Sequence, residues 1–258
     1  MSEHPFDGEG FDREKAIQFW DDIAYDYEGG MMQGDIPVQI LDHLMEKGIL
    51  TEGSEVVEFG CGPGTYTIPL SERVRSVTCV DTSERMLSML KERCASTNIL
   101  PIKGDFMTVS LGRRFDVSVM SLCPGSGSID AIHRAESVAK DWCIHIMWLV
   151  NSWDDVGAAV WKELGKDYSF EKRKSGVVEG NLNALGRDYV VKEFTTDIHV
   201  EAPAESVIER EKRRFAYYGP YNAEEALYKV FGDRIHGDKF RFDCTNRMKL
   251  IYWRSSSC

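Results

Sequence analysis

A short apolar strand, residues 56–59 (V-V-E-F), feeds without a break into Gly60-Cys61-Gly62-Pro63-Gly64-Thr65-Tyr66. A strand that ends in a glycine-spaced turn points to an open α/β sheet, in which a ligand approaches bare backbone at the strand's carboxyl end. The spacing narrows the ligand. Glycines at 60, 62 and 64 read G-x-G-x-G, whereas the dinucleotide fingerprint G-x-G-x-x-G would need glycine at Thr65. A pyrophosphate also needs a helix N-terminus aimed at it, while the acid at the strand end, Glu58, suits a nucleoside ligand that carries positive charge. The competing reading is a tight strand-to-helix turn with no ligand, which glycine serves equally well.

The segments that follow favour the ligand because they fall in order. Residues 77–80 read as a second strand ending in Asp81, some twenty residues beyond the first; at that spacing a carboxylate can accept from both ribose hydroxyls. Thr82 or Ser83 can cap the next helix, in which Met86, Leu87 and Leu90 share one face. Residues 99–103 form a third strand, leading to Gly104-Asp105-Phe106. Residues 115–121 form a fourth, and its exit, residues 122–128, lies where an open sheet places its reaction centre.

The run E-F-G-C-G-P-G-T closely resembles the first motif of the class I S-adenosylmethionine-dependent methyltransferases, and V-D-T-S-E-R-M-L the second; the resemblance extends from about residue 19 to residue 150. It implies a Rossmann-like, seven-stranded, mostly parallel α/β sheet with helices on both faces, an antiparallel last strand and a substrate-side cap. It also implies S-adenosyl-L-methionine as cofactor. By position, Gly60, Cys61, Gly62 and Gly64 would pack against the methionine portion, with Glu58 reaching its ammonium directly or through water. Asp81 and Thr82 would hold the ribose side, and Asp105 and Phe106 the adenine. Ser121 and Leu122, where the fourth strand ends, would also line the cofactor. Met86 either brushes the adenine or belongs to the core, and Asp105 either accepts from the adenine amino group or caps a turn. The aromatic helix from Phe19 to Tyr27 resembles family segments that lie across the cofactor, which makes Tyr27, with Tyr25, a ligand or lid residue. Alternatively, its stripe of Ile17, Trp20 and Ala24 merely packs on the domain.

One departure matters. Methylases of planar amino nitrogens often carry [DN]-P-P-[YF] after the fourth strand, and this chain has Ser121-Leu122-Cys123-Pro124. That weakens a base-flipping or glutamine-methylating role. Cys123 reads either as a substrate or soft-metal contact or as a small buried thiol.

Residues 37–47 make an amphipathic helix with proline at its start, residues 66–73 the helix after the glycine turn, and residues 131–140 a later one. Residues 142–150 are continuously apolar, as a buried parallel strand requires. Beyond Asn151 the resemblance fades. Trp153, Trp161, Tyr168 and Phe170, then the glycine-bearing stretch 175–186, read as a partly mobile wall for an apolar substrate. A late strand (189–200), two helices (204–217 and 223–231) and an edge-forming final strand (247–253) follow. The expected organisation is one domain over residues 1–258: an N-terminal lid helix (1–35), the cofactor core (36–150), a substrate-side elaboration (151–246) and the final strand (247–258).

A net charge of −11 argues against a broad phosphate-binding surface, and the basic residues Lys172, Arg173 and Lys174 with Arg210, Lys212, Arg213 and Arg214 read either as a local patch or, more simply, as solvated helix faces. The 7 cysteines contain no C-x-x-C pair and are odd in number, so neither a disulfide framework nor a zinc site is indicated, and no metal is expected. No apolar run is long enough to span a bilayer, and the N-terminus is acidic rather than signal-like. No membrane association and a cytoplasmic location are therefore expected. His133 and His145 are candidate bases by residue type, as are Asp22, Asp26 and Tyr218, but none has a partner visible in the sequence and the catalytic base stays unassigned. The leading expectation is methyl transfer to a small-molecule acceptor by direct in-line displacement. An RNA or protein methyltransferase is the runner-up, and a non-catalytic cofactor-binding partner the third reading. The oligomeric state is left open.

Overall fold

The computed structural model describes residues 13–24, 31–166, 176–217 and 221–256. These form β1 (Glu55–Phe59), β2 (Ser76–Asp81), β3 (Ile99–Lys103), β4 (Phe115–Ser121), β5 (Ala139–Val150), β6 (Tyr189–Pro203), the two-residue β7 (Ile235–His236) and β8 (Lys239–Arg254). The helices are α1 (Arg13–Ile23), α2 (Ile36–Glu46), α3 (Thr67–Ser71), α4 (Glu84–Arg93), α5 (Ile129–Val138), α6 (Ser152–Glu163), α7 (Val177–Ala184), α8 (Ala204–Tyr217) and α9 (Glu224–Phe231).

Seven strands follow one path, β3-β2-β1-β4-β5-β8-β6, and β7 pairs with β8 outside it. The pairs β1–β2, β1–β4, β2–β3 and β4–β5 are parallel, and β7 pairs antiparallel with β8. The order reverses between β1 and β4, the switch point at which an open sheet presents a crevice. Successive residues of β1 feed opposite faces. Val56 packs with Leu41, Leu44, Leu70 and Leu90 from α2, α3 and α4. Val57 and Phe59 pack with Ala131, Ile132 and Ala135 of α5 and Val178 and Leu182 of α7. Both faces are thus covered, which is why β1 and β4 are buried along nearly their whole length, polar residues included.

The chain divides into two compact units, one comprising residues 1–34, 150–173 and 196–246 and the other residues 35–149, 174–195 and 247–258. The second holds β1–β4, nearly all of β5, α2–α5 and α7. The first has its own aromatic core: Trp153 meets Phe231, Phe240 and Phe242 with ring centroids 5.3–5.9 Å apart, and Trp161 meets Phe215 and Tyr221.

Three expectations change. The final strand is not at an edge: β8 lies between β5 and β6, and β6 is the edge strand. Its residues 248–253 are all buried, as an interior strand demands, and alternation is confined to its earlier half. Residues 152–163 are a helix rather than a loose wall, begun by Asn151, whose side chain accepts from the Trp153 amide. Within 175–186 lies α7, held by only two buried side chains one turn apart, Val178 and Leu182. No helix among the described residues is long and apolar enough to cross a membrane.

Candidate cofactor-binding site

Gly60, Gly62 and Gly64 all have positive φ, at 71°, 52° and 94°, a region that side-chain-bearing residues rarely adopt. Each glycine serves a different contact. A Cβ on Gly60 would lie 2.7 Å from Cβ of Cys123, and one on Gly64 would lie 2.4 Å from a methyl of Leu90, whereas one on Gly62 would meet nothing within 4 Å. Gly60 and Gly64 are therefore packing glycines, and Gly62 is the one whose backbone faces open space. The turn is closed by the Gly60 amide donating to Val80 O (2.9 Å) and the Gly64 amide to Cys61 O (3.0 Å). Cys61 itself points into the core, where the neighbouring Cys79 thiol and burial push its own thiol up, so only its backbone belongs to the turn.

Asp81, at the tip of β2, accepts from the Gly62 amide through Oδ2 (2.8 Å) and from the Ser83 amide through Oδ1 (2.9 Å). Residues 19 apart in sequence thus meet between the carboxyl ends of β1 and β2. Thr82 is half-buried in the same turn. Ser83 is the helix cap, accepting from the Met86 amide at 3.1 Å, and the Met86 side chain is 2% exposed, in agreement with its core reading.

Glu58 is fully buried. Its Oε1 accepts from Ser121 Oγ and its Oε2 from Thr67 Oγ1, both at 2.6 Å. Burial is the dominant influence and pushes its carboxyl up to about 7; the two hydroxyl donors pull the other way, and the Asp81 charge adds to the rise. The acid therefore joins β1, α3 and β4 beneath the turn, with neither oxygen exposed. Thr67, at the first position of α3, was not singled out in the sequence; its only signal is a small hydroxyl residue directly after the glycine turn.

The loop after β3 carries Asp105 and Phe106. Asp105 Oδ1 accepts from the Met107 amide at 2.6 Å, the turn-capping arrangement, and Phe106 packs on Phe59 with centroids 5.7 Å apart. Arg134 of α5 donates to the Phe106 and Val109 carbonyls (2.7 and 2.5 Å), fixing this loop from below; no sequence pattern marked it. At the end of β4, Leu122 is the sole non-glycine with positive φ (51°) among the described residues, a conformation that costs free energy and recurs at functional sites. Its amide donates to Ile146 O at 3.0 Å. Tyr27 and Tyr25 lie outside the described residues.

The structure thus brings together Gly62 with Asp81, Glu58 with Ser121, and Gly60 with the exit of β4, all around the carboxyl ends of β1, β2 and β4. Comparison with known proteins points to the same place. Residues 56–141 match the family described as "Methyltransferase domain". A curated relative, cypemycin N-terminal methyltransferase of Streptomyces sp, is 33% identical over 70 residues; the match takes in 27% of this chain and spans 29% of that relative's length. Among solved structures, magnesium protoporphyrin IX methyltransferase of Synechocystis PCC 6803, crystallised with S-adenosylhomocysteine, has a TM-score of 0.50 at 16% identity, covering 97% of each chain. A protein described as a putative methyltransferase of Bacillus halodurans C-125 has a TM-score of 0.51 at 14% identity, covering 84% of this chain and 99% of its own. The glycine turn and the acid at the tip of β2 both lie within residues 56–141, the segment that is similar to the methyltransferase-domain family, and the fold is that of the solved methyltransferases.

Proposed function

We propose that this protein transfers a methyl group from S-adenosylmethionine to a small-molecule acceptor. The observation that carries the cofactor half is the bare Gly62 backbone beside the Asp81 carboxylate, with open space where a Cβ would be. These residues fit an adenosyl ligand. Each Asp81 oxygen accepts a backbone N–H, and an ionised carboxylate can accept about four hydrogen bonds in all, sugar hydroxyls among them. The glycine turn lets the ligand approach main chain, and the Asp105–Phe106 loop offers an acceptor and an apolar ring to a purine.

When bound, S-adenosylmethionine supplies a methyl already activated on a sulfonium. The residues then have to position, exclude water and, where the acceptor carries a proton, receive it. Glu58 and Asp81 supply negative potential beneath and beside the turn, favouring a cationic ligand. The loop leaving β4, pressed against Gly60, forms the acceptor side of the cleft.

The acceptor class rests on charge and on a missing motif. A chain of net charge −11 is poorly suited to a polyanionic acceptor, and Ser121-Leu122-Cys123-Pro124 lacks the side-chain amide or acid that holds a planar amine. The match to cypemycin N-terminal methyltransferase favours one second reading, a peptide α-amine as acceptor. Incubating the protein with methyl-labelled donor and a metabolite extract, and separately with a library of unblocked peptides, tests both. A small molecule that gains the label supports the proposal; labelling confined to peptide N-termini supports the second reading, and labelled RNA would refute both.

A further inference from the structure

A buried polar cluster lies beneath the loop that leaves β4, away from the groups that face the glycine turn. Ser126 Oγ donates to Cys123 O at 2.6 Å, and the Ser126 amide donates to the same carbonyl at 3.2 Å. With its proton committed there, Ser126 Oγ accepts from His145 Nε2 at 2.9 Å, which leaves Nδ1 of the neutral ring as an acceptor. His145 is 4% exposed, and its Nδ1 has no hydrogen-bond partner among the described residues.

A second buried acceptor faces the same situation. On α7, Glu179 Oε1 receives Lys249 Nζ at 2.5 Å, while its buried Oε2 has no partner among the described residues. Glu179 and Lys249 both act electrostatically on the His145 ring, in opposite senses, and burial, the larger influence, keeps the ring neutral by lowering its pKa to about 4. α7 packs on the loop that carries Ser126, with Val178 3.4 Å from where a Cβ of Gly127 would lie, so the two unpartnered acceptors belong to neighbouring elements, and one molecule with two hydrogens to donate would satisfy both. Buried water commonly fills that role, since a buried polar group left unpaired is costly.

We infer that His145 Nδ1 and Glu179 Oε2 form a closed binding site for one water molecule, and that the resulting chain, Lys249–Glu179–water–His145–Ser126, makes His145 a positioning residue for the cofactor. The link to the cofactor rests on the proposed function and runs through Cys123. Ser126 fixes the Cys123 carbonyl, and Cys123 lies so close to Gly60 that a Cβ there would be 2.7 Å from its own. The same loop is held on its other side by α7, whose Asn181 donates to Gly127 O at 2.8 Å. A shift of the loop therefore changes the wall of the glycine turn without touching any ligand.

The test uses the full chain and S-adenosylhomocysteine. Binding is measured by calorimetry for the wild type, His145→Leu, His145→Gln and Ser126→Ala, with amide hydrogen exchange over residues 122–128 recorded without ligand. His145→Leu and Ser126→Ala should bind about tenfold more weakly and exchange faster in the loop, since each removes a buried hydrogen bond. His145→Gln, which keeps an N–H for Ser126, should stay within about threefold. A merely structural role would lower thermal stability in all three and leave both readouts unmoved, which would overturn the inference. If His145→Leu does not fold, Ser126→Ala decides. If the wild type itself binds no S-adenosylhomocysteine, the proposed function fails, while loop exchange still tests the anchoring. A crystal structure should show ordered solvent between Nδ1 and Oε2; a direct contact between those atoms would refute the water site.

Discussion

Gly62 donates its backbone N–H to Asp81 Oδ2 over 2.8 Å, so the carboxylate that is proposed to hold the ribose also holds the turn beneath the rest of the ligand. Asp81→Ala removes both. Donor affinity should fall by about 1–3 kcal/mol, the loss expected for hydrogen bonds to a charged acceptor. Calorimetry giving an unchanged dissociation constant would refute the ribose assignment.

The glycines separate folding from binding. Gly64→Ala places a Cβ 2.4 Å from Leu90 at a φ of +94°, so it should destabilise the protein by about 1–3 kcal/mol through overpacking alone. Gly62→Ala meets no neighbour and should cost about 1 kcal/mol of stability from its positive φ. It should nevertheless lose most cofactor affinity, because the methyl stands where the ligand would. Denaturant unfolding paired with ligand titration distinguishes the two, and equal losses of affinity per unit of lost stability would argue against Gly62 lining the cleft.

Glu58 makes stability depend on pH in an uncommon direction. Burial raises its carboxyl from 4.5 to about 7, so between those values the folded state binds a proton that the unfolded state has released, and stability falls as pH rises. The resulting destabilisation is on the order of 3 kcal/mol, complete above the folded pKa and absent below the unfolded one. Glu58→Gln should flatten this slope; identical wild-type and variant differences between pH 5 and pH 8 would sink the idea. A cationic ligand nearby favours the carboxylate, so S-adenosylmethionine binding at pH 7 should release protons, measurable as a dependence of binding heat on buffer ionisation.

Glu136 behaves oppositely. It is buried and accepts from Arg187 (2.8 and 3.1 Å), Trp253 Nε1 (3.1 Å) and Ser256 Oγ (2.8 Å). Burial alone would raise its carboxyl, but these donors, Arg187 foremost, hold it below the ordinary value. Its stabilisation is therefore present above the unfolded pKa and lost as pH falls through the folded one. Glu136→Ala strands a partly buried guanidinium and should cost about 3 kcal/mol at neutral pH; equilibrium unfolding checks this, and a loss below about 1 kcal/mol would mean that Arg187 finds other partners.

The parallel core was legible because its strands are short, valine-rich segments ended by a residue with a chemical duty: Glu58-Phe59 before glycine, Asp81 before a cap, Ser121 before a strained Leu122. Where local pattern and tertiary demand agree, sequence suffices. Residues 152–163 carried a helical signal in Trp153, Val156, Val160 and Trp161, but their aromatic content suggested a pocket wall. For α7 there was little signal, since two buried residues amid glycine and asparagine make a faint stripe. Within the site, Glu58 was identified as an acid of the cleft, yet its enclosure by Thr67 and Ser121 depends on contacts nine and 63 positions away. Contacts such as Arg134 with the Phe106 carbonyl, or His145 with Ser126, leave no periodicity to read, because they join side chains from elements that only the completed sheet brings together.

The place of β8 between β5 and β6 has a temporal consequence. A nascent chain emerging from the ribosome can assemble β1 to β5 as they appear, but β6 then waits without its neighbour, its exposed Val190 and Val191 open to other polypeptides. Only when synthesis has passed Arg254, the end of β8, can that gap be filled. Production at low temperature or with a chaperone that shields unpaired strands should therefore raise the soluble yield more than any substitution in the parallel core.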